Sequence, residues 1–367
     1  MSFTSPAAEG TDFYVPSFEV SLHGRELDPL VIHDVTEVSY HDSLEDVDGF
    51  ELTLANSPSA TYDTPSSRTF KYSDQDLFDP GKELQLKLGY IGGDALGVMI
   101  TGDITSLTPS FPASGFPTLK VSGLNVLHRL RTKQQSQAYT NCTDGQIADR
   151  IAQRLGVKID PDRAEGERHE YILQDNEYDI LFLLKRAHAI GYELTVDETQ
   201  TPPLIHYQPS ERMRAVAYRL TYGSSLISFD PNLSTAKQVS RVSVHGWDAV
   251  HKKPIQASAS LDQIGTPHGA PPVDAALQGR EEVISDQPVA TQQEAQTLAT
   301  QTLKRISKEL ITARGATIGL PKLRAGSAAF LDGLGTRFNG RYFVTATTHT
   351  CGDSGYTTQF ECRREDR

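Results

Sequence analysis

The chain has 367 residues, 38% of them hydrophobic and 22% charged, with a net charge of -12. That length calls for two or three domains. The acidic balance excludes a general nucleic-acid binder, which needs clustered Lys and Arg. No apolar run approaches the ~20 residues that span a bilayer, and the start MSFTSPAAEGTDF lacks the basic and apolar regions of a secretory signal.

Residues 1–12 carry no period and read as a flexible N-terminus, and residues 13–129 read as a β domain. Phe18-Glu19-Val20-Ser21-Leu22, Phe50-Glu51-Leu52-Thr53-Leu54, Leu84-Gln85-Leu86-Lys87-Leu88 and Leu119-Lys120-Val121-Ser122 alternate apolar with polar. Such strands have one face in a core. Turn clusters such as Ser57-Pro58-Ser59, Asp79-Pro80-Gly81 and Gly92-Gly93-Asp94 separate them, a spacing compatible with a barrel or a sandwich.

Residues 130–200 change to a small α+β unit. Thr143 and Gln146 form a capping box, Ile147, Ile151 and Leu155 make the apolar stripe that follows, and Gly156 stops the helix. A second helix is expected from near Asn176, with Leu181, Leu184 and Ala187 on one face and Gly191 at its end. Tyr192-Glu193-Leu194-Thr195-Val196 reads as a strand. Residues 201–367 return to β, with strands at Leu204-Ile205-His206-Tyr207, Tyr218 to Tyr222 and Val242 to His245. Residues 253–287 are rich in Pro, Gly, Ala and Gln and read as a long surface loop. A helix over 289–311 follows, capped by Thr291 and Glu294, with Ala295, Leu298, Ala299, Leu303, Ile306 and Leu310 as its stripe.

Several residues invite a chemical reading. Gly352-Asp353-Ser354-Gly355, with His349 nearby, matches the start of a serine-protease nucleophile signature. The runs on either side alternate and are β-branched, so the segment 351–355 reads as a hairpin loop, and no other His sits in a catalytic context. That hairpin places Cys362 roughly 20 Å from Cys351, beyond the ~7 Å limit of a disulfide. With Cys142 as the third thiol, reduced cysteines and a cytoplasmic folding compartment are expected. Asp74, Asp76 and Asp79 depart from a calcium loop at Phe78 and Gln85 and read as an acidic turn. Gly333-Leu334-Gly335 lacks the rest of a phosphate loop and reads as turn glycines, and Asn339-Gly340 as a hairpin turn. His33, His41, His245 and His251 lack zinc-site spacing, and Trp247, the only Trp, is expected in a core. The expected catalytic, cofactor and metal residues are therefore none.

The order of segments resembles the late control D family of phage tail proteins, related to the hub portion of VgrG-type spike proteins of contractile injection systems. The resemblance is carried by Thr101-Gly102-Asp103-Ile104 with Pro109-Ser110-Phe111-Pro112, and by Asp175-Asn176-Glu177-Tyr178-Asp179 running to Gly191-Tyr192. It continues through Tyr222-Gly223-Ser224-Ser225-Leu226, Val242 to Trp247, and Gly340-Arg341-Tyr342-Phe343-Val344 to Gly355-Tyr356. It implies an α+β, mainly β fold: two β-barrel, tail-tube-like domains with an inserted small α+β domain, in a trimeric pseudo-six-fold ring. It implies a structural, non-enzymatic hub that matches a hexameric tail tube or tube-initiator protein to a trimeric spike, without specific nucleic-acid binding, membrane insertion or cofactors. VgrG-type proteins continue into a needle, so the spike is expected to be a separate polypeptide, with other baseplate proteins as further partners. The expected location is the cytoplasm during assembly, then a phage tail or injection particle, its lumen lined by part of the acidic charge. The competing readings are a hydrolase using Ser354 or a carboxylate pair, and a carbohydrate- or receptor-binding tail-tip module.

Overall fold

The computed structural model describes residues 15–58, 69–92, 95–161, 168–209, 217–248, 251–264 and 276–364. The expected flexible N-terminus, Ser59, Gly93, Asp94 and residues 265–275 of the expected loop lie outside them.

The first β unit comprises β1 (Pro16–Leu22), β2 (Arg25–Glu26), α1 (Pro29–Asp34), β3 (Val35–Ser43), β4 (Gly49–Ala55), β5 (Glu83–Tyr90), β6 (Gly97–Ser110) and β7 (Thr118–Asn125). The strands expected from alternation are present, and their apolar positions, Leu52, Leu54, Leu84, Leu86, Leu88, Leu119 and Val121, are buried in one cluster. A 3-10 turn, Val126–Arg131, leads to the central unit. That unit holds β8 (Gln134–Cys142), α2 (Asp144–Leu155), β9 (Lys158–Pro161), β10 (His169–Tyr178), α3 (Asp179–Ile190), β11 (Tyr192–Asp197) and β12 (Leu204–Pro209). The Thr143–Gln146 capping box forms, and Gly156 ends α2 at φ +67.

Two expectations for this unit are corrected. Residues near Asn176 do not open a helix: Asn176 sits at φ +48 in an irregular stretch of β10, and α3 starts at Asp179. Leu181 is exposed, because the buried face of α3 is Ile180, Phe182, Leu183 and Ala187. The boundary expected at residue 200 separates paired strands, since β12 pairs antiparallel with β11 and parallel with β9.

The second β unit starts with β13 (Ala217–Thr221) and β14 (Leu226–Leu233) and resumes with β18 (Ile311–Ile318), β19 (Ala328–Asp332), β20 (Gly340–Gly352) and β21 (Gly355–Arg364). Between them lie β15 (Arg241–Asp248), β16 (Lys253–Ser260), α4 (Leu261–Ile264), β17 (Glu281–Ile284) and α5 (Gln292–Lys308). The expected loop is thus corrected at both ends, since β17 pairs parallel with β15 from Arg241 opposite Glu281 to Val244 opposite Ile284. β16 pairs along all of β15 and buries Ile255, Ala257 and Ala259 against α5. The small Ala side chains hid a period of two. α5 begins on the Thr291–Glu294 capping box and buries Ala295, Leu298, Ala299 and Leu303 as expected.

The two β units do not close separately. Thirteen strands form one sheet, in the order β14-β18-β21-β20-β3-β4-β7-β6-β5-β1-β2, with β19 and β13 branching from β20. Among the described residues no ladder closes either unit into a barrel. The units join where β20 pairs antiparallel with β3, Ala346 opposite Ser43 through Gly352 opposite Glu37.

Within that sheet the second unit repeats the first. The order β3-β4-β7-β6-β5-β1 is matched by β14-β18-β21-β20-β19-β13, although β13 meets β19 in parallel where β1 meets β5 antiparallel. The irregularities coincide. The β3–β4 register slips at Thr36 and the β14–β18 register at Ile227. The β6–β7 register slips at Thr105 and the β20–β21 register at Thr345. Bulges of this kind fix an alignment. Counting along the first ladder equates Leu52 with Gly315, and along the second equates Val121 with Phe360. Leu52 faces Val121 and Gly315 faces Phe360, so both routes agree. Two turn bonds also correspond: Gly81 N donates to Ile104 O at 2.8 Å and Gly326 N to Val344 O at 2.9 Å, with both glycines at positive φ.

Candidate assembly interface

The hairpin that carries the protease-like run is a structural tie. Its turn is tighter than expected: Gly352 pairs with Gly355, leaving Asp353 and Ser354 at an exposed tip and Gly355 at φ +100. Cys351 and Tyr356, just behind the tip, are buried in the core of the first unit. Tyr356 fits because Gly319 has no side chain; a Cβ there would lie 2.1 Å from the ring. His349 is buried on the opposite side of the strand from solvent. Its Nε2 faces the Leu323 carbonyl at 3.0 Å, so Nε2 carries the proton, and Nδ1 accepts from the Tyr356 hydroxyl at 2.9 Å. Burial pulls its pKa down to about 4. A neutral ring with both nitrogens occupied is not a base for Ser354.

The other sequence candidates are dispersed. Asp74 accepts the Phe70 amide at 2.5 Å, and the Asp76 carbonyl accepts Lys82. Among the described residues no three His, Cys, Asp or Glu side chains converge as metal ligands. Gly333 and Gly335 both adopt φ +79, as turn glycines do. Asn339 does not centre a two-residue turn; its side chain closes the 333–339 loop by accepting the Leu334 amide at 2.7 Å. His33, His245 and His251 are exposed, and His41 meets the Thr348 hydroxyl across the unit junction at 3.1 Å. Trp247 is 58% exposed at the end of β15, contrary to the expected core position, because it faces Pro254 on the open side of a three-stranded sheet. All three cysteines are free and buried, and Cys362 lies opposite Val344, far from the tip that holds Cys351.

A buried polar network, unforeseen from sequence, sits where the two β units meet the central unit. Arg324 Nε donates to Asp42 Oδ2 at 2.8 Å, and its Nη2 donates to the Met99 carbonyl at 2.9 Å and to the Tyr40 hydroxyl. Asp42 also accepts the Thr347 amide and hydroxyl. Burial pushes the Asp42 carboxyl up, but the Arg324 charge and the Thr347 hydroxyl together hold it below its ordinary value. Asp48, which accepts from Ser43 N and Asn125 Nδ2, is raised by burial and by the Asp42 charge. Glu198, reaching in from the central unit to Thr101 N at 3.0 Å, is raised by burial to about 7. These groups line a cavity of about 190 Å3, smaller than the ~300 Å3 of an ordinary small-molecule pocket. The three carboxylates are engaged by amides and side chains of the joint itself. The arrangement binds three parts of one chain together.

The surface features converge on strand edges and one sheet face. On its β5 side, β6 is covered only as far as Ile104. Beyond it, among the described residues, β6 pairs with β7 alone. Among the described residues β14 pairs along its length with β18 alone. Both edges carry a proline, Pro109 and Pro231, which is the sequence signal for an edge strand and could have marked them in advance. Both also carry exposed apolar side chains: Phe111 at 56% next to β6, and Ile227 and Leu233 at 57% and 38% on β14. The exposed sheet face across the junction forms a groove of about 860 Å3 lined by His41, Asp230, Arg314, Thr348, Gln359 and Glu361.

Known structures share this architecture. The 43 kDa tail protein of prophage MuSo2 from Shewanella oneidensis superposes with a TM-score of 0.70 at 17% identity, covering 96% of this chain and 99% of its own. A tail protein from Neisseria meningitidis gives a TM-score of 0.67 at 11% identity, covering 96% and 97%. An E. coli component of the type VI secretion system, described as structurally similar to bacteriophage tail proteins, gives 0.60 at 13% identity, covering 94% and 76%. At these identities the likeness is one of fold, a fold of the phage-tail and baseplate type. No curated protein matches the sequence. The family profile described as the Alg8 N-terminal domain matches residues 15–353, and the chain belongs to that family.

Proposed function

We propose that this chain is a structural hub of the late control D type, at the baseplate of a contractile tail or injection system, where it adapts a six-fold tail tube to a three-fold spike. The observation that carries the reading is the internal repeat. A chain with two β units of one strand order, joined edge to edge in one sheet, lets three copies offer six similar units around an axis. A hexameric tube or tube-initiator protein then meets six equivalent surfaces, while a trimeric spike meets three. Closed symmetry of this kind is how homo-oligomers bury recurrent patches. The domain division that fits it is two β units, 15–125 and 217–364, with the central unit between them and the β15–α5 unit inserted in the second.

The exposed face of the shared sheet is the natural lining of the channel. It bears Glu37, Glu51, Asp230 and Glu361 against Lys120 and Arg314 among small polar residues such as Ser39, Thr53, Ser122 and Thr348. Two of the carboxylates are paired, Lys120 with Glu51 and Arg314 with Glu361. An acidic, small-residue wall keeps anionic or unfolded cargo from adhering. Assembly takes place in the cytoplasm, before incorporation into the particle. Electron microscopy of the purified protein tests the proposal: a ring with six lobes supports it, and isolated single-chain particles contradict it.

A further inference from the structure

Three buried carboxyls share one guanidinium where the central unit meets the first β unit. Asp42, Asp48 and Glu198 are all 6% exposed or less. Arg324 donates to one of them: its Nε bonds Asp42, while its Nη2 turns to the Met99 carbonyl and the Tyr40 hydroxyl. Asp48 and Glu198 are held by neutral donors. Asp48 accepts from Ser43 N at 3.1 Å and from Asn125 Nδ2 at 2.7 Å, and Glu198 from Thr101 N at 3.0 Å and the same Asn125 Nδ2 at 3.5 Å. One amide nitrogen therefore lies between two carboxyls, one from the β3–β4 loop and one from the end of β11. We propose that Asp48 and Glu198 form a proton-operated clasp: protonated, they keep the end of β11 seated on β6 and β7, and as both ionise they push it away.

The charges around the pair leave nothing to neutralise it. Facing it are Asp42 and Tyr40 of β3, Arg324 of the loop before β19, His349 of β20, and Asp197 beside Glu198. Asp42 takes the Arg324 charge. Tyr40 stays a neutral phenol, because burial raises it well above its ordinary value, and His349 is the neutral ring described above. Asp197 adds a further negative charge, held by Thr199. A second carboxylate here would be buried without a counter-ion, which costs more than protonating it. Burial accordingly raises Glu198 to about 7, and burial with the Asp42 charge raises Asp48 well above the ordinary carboxyl range. Carboxyls this close titrate as a pair. The adjoining cavity of about 190 Å3 has room for several waters, so the ionised groups gain hydration as the joint opens.

A carboxyl raised in the closed joint holds its proton more tightly closed than open. Closure is therefore firmest below the ordinary carboxyl value of ~4.3 and weakens as pH climbs through about 7. Between pH 5.5 and 8 the Glu198 titration alone makes opening on the order of twentyfold easier. The test is hydrogen exchange of the full chain by mass spectrometry across that range, with intrinsic exchange rates divided out. Peptides carrying the Ser43 and Thr101 amides, which the two carboxyls hold, report the clasp, and β18, in the second unit, is the control. The expected result is a loss of protection of about twentyfold or more at the two reporting sites, with β18 unchanged. Glu198→Gln and Asp48→Asn should each cut that loss by about threefold or more; Asp48→Asn decides alone if Glu198→Gln does not fold. Protection that is independent of pH in the parent overturns the clasp. So does an equal loss in β18, which marks general loosening, or an undiminished loss in the folded variants.

Discussion

Removing Arg324 should unlock the joint between the β units. Arg324→Met keeps most of the side chain's volume but deletes the cation that neutralises Asp42 and the cation–π contact to the Tyr40 ring, whose centroid lies 4.4 Å away. Asp42 is 4% exposed and cannot recover water. Breaking a buried pair from one side costs about 3–5 kcal/mol, because the remaining charge is uncompensated. The loss has a pH signature. Without Arg324 the Asp42 carboxyl rises above its unfolded value, so the folded variant binds a proton that the unfolded chain does not. Stability of the variant relative to the parent is therefore regained as pH falls from 7.5 toward 5. Urea unfolding by far-ultraviolet circular dichroism at several pH values measures this, and hydrogen exchange of β3 and β20 amides locates it. Asp42→Asn added to Arg324→Met should recover a large part of the loss. A cost below about 1 kcal/mol at pH 7.5, or one that does not change with pH, refutes the assigned role of the pair.

Three further outcomes follow from the geometry. His169 lies between Asp144 at 2.9 Å and Glu294 at 2.5 Å. Burial lowers its pKa, but the two carboxylates raise it further, to about 9. A raised folded value means stability that is full below the unfolded pKa of ~6.5 and lost as pH climbs through about 9, on the order of 3 kcal/mol; in His169→Gln that slope should vanish. Gly319→Ala should destabilise by about 1–3 kcal/mol, as overpacking does, read as a lowered melting temperature, since its Cβ has no room beside Tyr356. Ser354→Ala should change stability by less than about 0.5 kcal/mol and leave assembly intact by light scattering; abolition of assembly contradicts the turn assignment.

The sequence was legible where one physical signal acts locally. Alternation marked β4, β5 and β7, and capping boxes marked the N-caps of α2 and α5, Thr143 and Thr291, although α5 is shorter at both ends than the expected 289–311. It was misleading where side-chain size weakens the signal: the alanines of β16 bury as a strand face yet read as loop composition. It was silent about long-range pairing. Asp42 and Arg324 are 282 positions apart, and nothing in either local pattern announces the other. The internal repeat was equally hidden, because its equivalent positions hold unlike residues, Leu52 with Gly315 and Val121 with Phe360. Only ladder register and bulge position preserve it. Pro109 and Pro231 were the exception, being local residues that report a sheet edge.

The most direct test of the hub account is native mass spectrometry of the purified protein across a concentration series. The account predicts a species of three copies of the 40.3 kDa chain that survives dilution better than any two-copy species, as a closed ring does. A chain that stays single, or forms only two-fold pairs, contradicts it.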